Sequence, residues 1–263
     1  MAGYDRCMTT QTIGHEIRRW RTHRRRSQLD LALDAGISTR HLSFVETGRA
    51  RPSRDLILSL AEQLDVPPRG RNAMLLQAGF APVHGERGLD DTALATARAA
   101  ISHILTAFAP FPALVVDRRW TMVEANAPIF ALIGAVPPEL LAPPVNALRL
   151  SLHPDGLAPR IANLAEWRAA LFRRLEEQID ASGDEELIAL LSELRAYPGG
   201  EDKRAVTPNA IAIPLLIDSP AGRLSLLSMT SVFGTPLDVT LSELAIESFL
   251  PADAATLALL KGA

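Results

Sequence analysis

The sequence of 263 residues predicts an α+β protein, with an all-α N-terminal domain followed by an antiparallel sheet with flanking helices. Three observations support this prediction. Residues 11–82 carry only helical patterns, separated by glycines and N-cap serines. Residues 111–263 contain apolar runs of strand length in two groups, with two long helical patterns between them. Finally, residues 1–82 hold 13 Arg, no Lys and 8 acidic residues, whereas residues 83–263 hold 14 basic and 22 acidic residues.

The first helix is expected to follow a leader of residues 1–10, which is polar and predicted to be flexible. Ile13, Ile17 and Trp20 share one helical face and are expected to be buried. The dense basic run that starts at Arg18 lies on the other side of this helix. This run can be a solvated face, a face that contacts DNA phosphates, or both, because the basic faces that contact DNA are solvated in the free protein.

Two short helices come next, and each begins with a serine. Ser27 is the N-cap of the first, and Gly36 follows it where a left-handed residue ends a helix. Ser38 is the N-cap of the second, which ends at Gly48. The same alternation of caps and stops predicts two further helices before residue 82. The N-terminal domain is therefore expected to contain five helices.

The segment from Gln28 to Leu64 resembles the Xre-type helix-turn-helix, the domain class of lambdoid phage repressors. The likeness rests on the ordered phrases SQ, AGIS, ETG and RPS. It implies a lambda-repressor-like fold for residues 11–82, in which the second helix of the pair enters the major groove of DNA. The resemblance implies DNA contacts by Gln28, Ser38, Thr39, Arg40, Ser43, Phe44, Arg49 and Arg51.

The roles of these residues follow from their chemistry and their places in the motif. Gln28, with the N-terminus of its helix, is expected to hold a phosphate. Arg49 and Arg51 are also expected to contact phosphates. Arg40 is expected to pair with guanine, and Phe44 to pack on a thymine methyl group. An alternative stays open, in which Phe44 only caps the small core and Thr39 only begins its helix.

For two apolar surfaces, the sequence does not determine which other part of the protein covers them. Leu29 and Leu33 stand four residues apart where Xre-type proteins more often carry polar residues, so they either pack on the first helix or dock on another domain or subunit. Residues 83–110 are expected to form a linker and a connecting helix. The apolar stripe of that helix, which runs from Asp90 to Phe108, is buried either on the second domain or on the same helix of another subunit.

The C-terminal domain is predicted to place two helices between two pairs of strands, which is the order of a PAS-like sensor sheet. Such a sheet needs a fifth strand, and Val239 to Leu250 is the candidate, although Thr240 and Glu243 also form a capping box there. Asn126 is expected to cap a short helix after the first strand pair. The predicted elements are strands Ala113–Asp117 and Trp120–Ala125, helices Pro159–Ala181 and Asp184–Tyr197, and strands Ala210–Ile217 and Arg223–Phe233.

Residues from about Ala99 to Leu260 resemble the ligand-binding domain of MmyB-like transcription regulators. The likeness rests on FPALVVDRRWTMVEAN, LRLSLHPDGLAP and FGTPLDVTLSELAIESFLPAD. It implies a PAS-like ligand-binding domain over residues 111–263, with an apolar cavity, and a fatty acid is associated with at least one relative. The long Pro-rich and helical insert between the strand pairs departs from many relatives.

The residues themselves also favour an apolar pocket with few polar anchors. Arg149 and His153 lie four residues apart, so one helical turn places both on one side, where they can meet a carboxylate. The alternatives are a surface arginine, a histidine satisfied locally, and aromatic residues that only fill the core. The complete expected set is Trp120, Phe130, Arg149, His153, Trp167, Phe172 and Phe233.

Several classes of site and location are disfavoured. The single cysteine, Cys7, excludes an intrachain disulfide and a thiolate metal cluster. No apolar run approaches the roughly 18 residues of a membrane helix, and no signal peptide is recognisable, so a cytoplasmic protein is expected. His153, Asp155 and the acids of residues 243–253 can be imagined as a metal or acid–base site, but no known catalytic motif accompanies them. We therefore expect no catalytic, metal or cofactor site.

Together these patterns predict a one-component transcription regulator. It is expected to bind a pseudo-palindromic DNA operator as a homodimer, with repression as the commoner mode of action. A small apolar effector, such as a fatty acid or a related molecule, is expected to control DNA binding from the C-terminal domain. The alternative is a C-terminal domain that serves dimerisation or protein binding without a small ligand. Two further functions, a purely architectural DNA-binding protein and an antitoxin, fit the N-terminal domain but do not explain why the chain has a C-terminal domain.

Overall fold

The computed structural model describes residues 12–200, 212–234, 236 and 238–262. They form two compact units, the first comprising residues up to Gly85 with the short segment Asp180–Gly183, and the second Glu86–Ile179 with the residues from Asp184 onward. The predicted leader, residues 1–10, lies outside the described residues, as does the start of the predicted strand at Ala210.

Five helices build the first unit, as the pattern of caps and stops predicts. The serines that precede the second, third and fourth helices each accept a hydrogen bond from a backbone N–H three residues later, and Ser27 and Asp30 form a full capping box. Gly36 and Gly48 take φ of 66° and 73° directly after helices, where a residue with a Cβ is strained. The helices are α1 (Ile13–His23), α2 (Gln28–Asp34), α3 (Thr39–Glu46), α4 (Arg54–Gln63) and α5 (Pro68–Gln77).

The core of the first unit is apolar and closed. Ile17 and Trp20 of α1 are buried as predicted, and they share a cluster with Leu31, Leu42 and Leu60. In contrast, α2 leaves two leucines in solvent: Leu29 is 64% and Leu33 is 76% exposed. The interpretation in which these two leucines pack on α1 is therefore wrong.

The second unit begins with a connecting helix. A 3₁₀ turn over Thr92–Leu94, capped by Asp91, leads into α6 (Ala95–Phe108). Ile101 and Leu105 of α6 are buried against the sheet of the same unit. The first of the two interpretations of this stripe is thus confirmed, and its buried residues are not available to a second subunit.

The second unit is organised around a five-stranded antiparallel sheet in the order β2-β1-β5-β4-β3. The predicted α+β fold class is confirmed. The fifth strand of the sheet lies in the segment from Val239 to Leu250, whose sequence fits either a strand or a helix. Only the second half of this segment is extended. Asp238, rather than Thr240, caps a helical turn, α11 (Val239–Ser242), before that strand begins. The strands are β1 (Ala113–Val116), β2 (Met122–Ala125), β3 (Leu215–Ser219), β4 (Gly222–Val232) and β5 (Ala245–Pro251).

Helices cover both faces of this sheet. Ala113 and Val115 of β1 face α6, whereas Leu114 and Val116 belong to the larger core on the opposite face. On that larger core lie α7 (Ala127–Ile133), α8 (Ala147–Leu152), α9 (Leu164–Ser182) and α10 (Glu185–Ala196), and α12 (Ala254–Lys261) packs on β4.

The long helix α9 begins later than its sequence predicts. Pro159 lies in a 3₁₀ turn over Ala158–Arg160. Ile161 then forms a β-bridge with Ile217, and the side chain of Asn163 accepts a hydrogen bond from the backbone N–H of Leu216. Pairing with β3 thus holds the chain extended where its apolar period alone favours a helix.

Candidate functional site

A buried carboxylate ties together the three helices of the helix-turn-helix region. Glu46, at the end of α3, is 7% exposed. It accepts hydrogen bonds from Arg21 Nε and Nη2 at 2.6 and 3.0 Å, and from Gln28 Nε2 at 2.8 Å. The hydrogen bond to Glu46 raises the pKa of Arg21 against the opposing effect of burial. The predicted phosphate ligand Gln28 is therefore held in a defined orientation at the start of α2.

Two arginines flank the aromatic ring of α3. The guanidinium carbons of Arg40 and Arg49 lie 5.3 and 5.9 Å from the centroid of the Phe44 ring. Both distances fall within the range of cation–π attraction. Phe44 is half-buried, while the two arginines are exposed. The ring can therefore orient both cations, and it is not among the side chains that pack against the core of the first unit.

The predicted DNA-contacting residues are concentrated on one helix and the loop that follows it. Ser38 is exposed and caps α3, and Thr39 and Ser43 are half-buried on the same helix. Arg51 is exposed in the loop after α3. Within the described part of the chain, no acidic residue forms an ion pair with Arg40, Arg49 or Arg51. Their charge remains available to phosphates and to the acceptor groups of guanine.

The second unit contains two adjoining chambers between the sheet and its helices. They share Trp167, Leu171, Arg174 and Ser228. The inner chamber, of about 60 Å³, is also lined by Leu114, Trp120, Ala147, Leu148, Ser151, Glu247 and Phe249. The outer chamber, of about 420 Å³, is also lined by Ala170, Arg173, Glu177, Ala212 and Ile213.

An ion pair stands where the two chambers meet. Arg174 of α9 donates to Glu247 of β5 through Nη1 at 2.9 Å and Nη2 at 2.5 Å. Its guanidinium carbon also lies 4.5 Å from the centroid of the Trp120 ring. Glu247 is 4% exposed and accepts a third hydrogen bond from Thr230 Oγ1. A charged pair in such an apolar setting is costly unless every hydrogen-bonding atom is used, and it places one cation beside the cavity.

Arg149 and His153 come together as predicted, but away from the two chambers. Arg149 binds Glu193 of α10 through two hydrogen bonds of 2.8 Å, and the ring of His153 lies 5.1 Å from that of Tyr197. The hydroxyl of Tyr197 also donates to Glu193 at 2.6 Å. The hydrogen bond from Arg149 lowers the pKa of Glu193, while burial and the bond to Glu193 raise the pKa of Tyr197 to about 12. A ligand role for this cluster stays a prediction.

The five predicted aromatic ligand residues are divided by the fold. Trp120 and Trp167 meet in the inner chamber. Phe130 is exposed on α7, and Phe172 is buried beneath the guanidinium groups of Arg168 and Arg195. Phe233 is half-buried on the α6 side of the sheet. Arg174 and Glu247, by contrast, were not predicted to lie at a ligand site. The sequence did offer one sign of them, because each is a charged residue within a pattern of apolar residues that faces inward.

A separate cleft lies on the same unit, between α7, the turn that joins β3 to β4, and α12. Its volume is about 400 Å³, and no charged side chain lines it. Four prolines contribute to its wall: Pro110, Pro112, Pro128 and Pro220. The hydroxyl of the lining residue Ser219 is already donated to the carbonyl of Gly222. This cleft can therefore offer apolar contact but little polar recognition.

Two other kinds of site were sought among the described residues. No described helix combines the length and the apolar character that spanning a bilayer requires. No group of three or more His, Cys, Asp or Glu side chains in the described ranges has a metal-binding arrangement.

Comparison with known proteins assigns a family model to each part of the chain. The model described as MmyB-like transcription regulator ligand binding domain matches residues 97–262, and a helix-turn-helix model matches residues 17–70. No curated protein sequence is similar enough to count as a match. One similar solved structure is titled "Structure of an RNA-binding Light-Oxygen-Voltage Receptor"; it is 15% identical, with a TM-score of 0.25, over 95% of this chain. The chain spans 61% of the length of that structure.

Proposed function

Because the chain belongs to the MmyB-like transcription regulators, we infer that it is a ligand-regulated, DNA-binding transcription regulator. We propose that it is a cytoplasmic repressor that binds operator DNA as a homodimer. We further propose that a small apolar effector, such as a fatty acid, controls its affinity for the operator. The observation that supports this proposal is the combination of two features. The helix-turn-helix unit carries Arg40, Arg49 and Arg51, which form no ion pair with an acidic residue of the described ranges. The other unit contains a two-chamber cavity whose walls combine apolar and charged side chains.

The DNA-binding part of the proposal assigns distinct roles to the residues of α3 and its loop. Arg40 reads guanine, because a guanidinium can pair with both acceptors of that base in the major groove. Phe44 holds Arg40 and Arg49 in place and contacts a thymine methyl group. Gln28, Arg49 and Arg51 hold phosphates, which adds affinity without sequence preference. Two copies of α3, related by two-fold symmetry, then fit successive major grooves.

The regulatory part rests on a difference in affinity. An effector that binds one arrangement of the protein more tightly than another shifts the population toward that arrangement. A coupling of about 1 to 3 kcal/mol, the usual scale, changes operator affinity by roughly 5- to 150-fold. Ile101 and Leu105 of α6 are buried inside their own unit, so the proposed homodimer does not use these two side chains.

The acidic residues between positions 243 and 253 have structural partners. Asp253 caps α12 by accepting from the backbone N–H of Thr256, and Glu247 binds Arg174. Glu243 lies 3.6 Å from Arg118. These contacts support a protein that is not an enzyme, in agreement with the two regulator families that it matches.

A binding experiment tests this function. The operator is first selected from random duplexes with the full-length protein, and its affinity is then measured with and without the extracted small molecules that copurify. We expect sequence-specific binding that weakens when the effector is added. Native mass spectrometry of the same preparation is expected to show a lipid-sized adduct. Specific DNA binding with no adduct and no response to effector would favour a C-terminal domain that serves only dimerisation or protein binding.

A further inference from the structure

We propose that Arg174 receives the anionic head of the effector and makes the two-chamber cavity specific for amphiphiles with a single carboxylate or phosphate group. The inference rests on the proposed function of this cavity as the effector site, and it adds the head-group chemistry and the residue that selects it. Neither Arg149 nor the uncharged cleft below α12 supplies this selectivity.

The first step of the argument is position. Arg174 is one of the four residues that line both chambers, and it is the charged member of that set. Two of the other three residues that line both chambers, Trp167 and Leu171, are apolar. Its side chain keeps 29% of its surface exposed although its partner Glu247 is buried. A ligand in the outer chamber therefore reaches the guanidinium without displacing a wall.

The second step is the state of the guanidinium. Glu247 takes one N–H from each terminal nitrogen, and the Trp120 ring lies against the guanidinium plane. A guanidinium carries five N–H donors, so three are left without a partner among the described residues. The carboxylate of Glu247, in turn, also accepts from Thr230. Arg174 is thus fixed in orientation while more than half of its donors remain unused.

The third step is the chemistry of the walls. The outer chamber offers Trp167, Leu171 and Ile213 to an apolar body. Ser151 of the inner chamber accepts a hydrogen bond from Trp167 Nε1 at 3.2 Å and carries no charge to compete with Arg174 for an anion. Unused N–H donors of a cation in an apolar cavity favour a charged acceptor, and a planar guanidinium suits carboxylate and phosphate oxygens. The oxygen of a neutral molecule can also accept an N–H of the guanidinium, but it lacks the charge that strengthens the bond.

The test measures head-group preference on the full-length protein by calorimetric titration. The three probes each contain twelve carbon atoms in an unbranched chain and are used as monomers: dodecanoate, dodecyl phosphate and dodecanol. We expect at least one anion to bind about tenfold or more tightly than the alcohol, as a hydrogen bond to a charged group allows. Arg174→Gln is expected to remove this preference. Arg223→Gln, the matched control at the exposed start of β4, is expected to keep it.

A second variant separates anion recognition from a structural role. Glu247→Gln retains an oxygen acceptor for Arg174 but removes the negative charge beside the head-group site. We expect it to bind the anion more tightly than the native protein and the alcohol equally, whereas a loss of structure weakens both. Because Arg174→Gln leaves Glu247 buried without its cation, the double variant Arg174→Gln/Glu247→Gln provides a neutral, matched pair and is expected to show no preference.

The contrary outcomes are distinct. Equal affinity of the native protein for acid and alcohol, or an unchanged preference in Arg174→Gln, overturns the role of Arg174 and leaves the proposed function intact if DNA binding still responds to the probe. Loss of the preference in Arg149→Gln instead assigns the head group to the cluster around Glu193. No binding of any probe, with specific DNA binding retained, overturns both this inference and the proposed effector.

Discussion

Glu46 and Glu247 are buried carboxylates, one in each of the two units. Each accepts two hydrogen bonds from one arginine and a third from a neutral side chain, Gln28 in one unit and Thr230 in the other. The sequence alone did not predict either pair, because the partners are 25 and 73 residues apart and nothing local marks them. Local chemistry does predict the N-cap serines, since each acts on an N–H three residues away.

At this scale we predict a division of labour between two arginines of the DNA-binding unit. Arg40→Ala should lower affinity for the operator by about 1 to 3 kcal/mol and relax the base preference at one position. Arg49→Ala should weaken binding to all sequences alike and reduce the dependence on salt, because it removes a phosphate contact. Titrations against the operator and a scrambled duplex at several salt concentrations measure both effects. Equal losses on the two duplexes for both variants would contradict the assignment.

We also predict an unusually basic titration for Tyr197. Burial and its hydrogen bond to Glu193 raise its pKa from 10.0 to about 12. Protonated Tyr197 therefore contributes stability that is complete below pH 10 and is lost as the pH rises toward 12. The chain has two tyrosines, so the ultraviolet titration of the native protein minus that of Tyr197→Phe isolates this phenol. A difference curve centred near pH 10 would show that the bond to Glu193 is absent.

At the scale of elements, the sequence predicts where helices begin better than where strands and helices compete. Ser27, Ser38 and Asn126 cap helices as predicted. The apolar period that starts at Pro159 wrongly extends α9, because the pairing of Ile161 with β3 is a contact between distant segments. Val239–Leu250 divides for a related reason, since a local cap fixes its first turn and pairing with β1 and β4 extends the rest.

The strongest prediction at this scale concerns Asn126, which joins three elements. Its Oδ1 accepts from the backbone N–H groups of Ala113 and Ile129, and its Nδ2 donates to the carbonyls of Leu105 and Phe111. Asn126→Ala leaves these buried groups unpaired and should lower the free energy of unfolding by about 2 to 4 kcal/mol.

Urea denaturation of the two variants Asn126→Ala and Asn146→Ala provides the comparison. Asn146 also caps a helix, α8, but its side chain is less buried, so its loss should cost less. Equal destabilisation by the two substitutions would indicate that Asn126 acts only as a cap.

At the scale of the molecule, the division into a basic and an acidic part is visible in the sequence, and each part has its own apolar core. The order of strands in the sheet is a different matter. Apolar alternation predicts strands but not which strands pair, and the order β2-β1-β5-β4-β3 sets β5 between segments more than 100 residues apart in the chain. The cavity depends on that order, which explains why its charged pair escaped prediction while its two tryptophans did not.

Separate cores predict separate thermal behaviour. We expect calorimetry to resolve two unfolding transitions, and an effector to raise the midpoint of one of them, because only the unit with the chambers binds it. Ligand at about 100 times its dissociation constant should add about 2.7 kcal/mol to the stability of that unit. Operator DNA should raise the other midpoint. A single transition that shifts with both ligands would show that the two units unfold together.

The cationic surface around α3 is made of arginine alone. A guanidinium keeps its charge across the physiological pH range and is not a substrate for lysine acetylation. Neither deprotonation nor acetylation can therefore remove the positive charge with which this surface binds DNA. The two ε-amino groups of the chain belong to Lys203 and Lys261, both outside residues 1–82. Reagents directed at lysine ε-amino groups therefore leave this surface unmodified, which favours lysine labelling of the native protein for single-molecule observation on DNA.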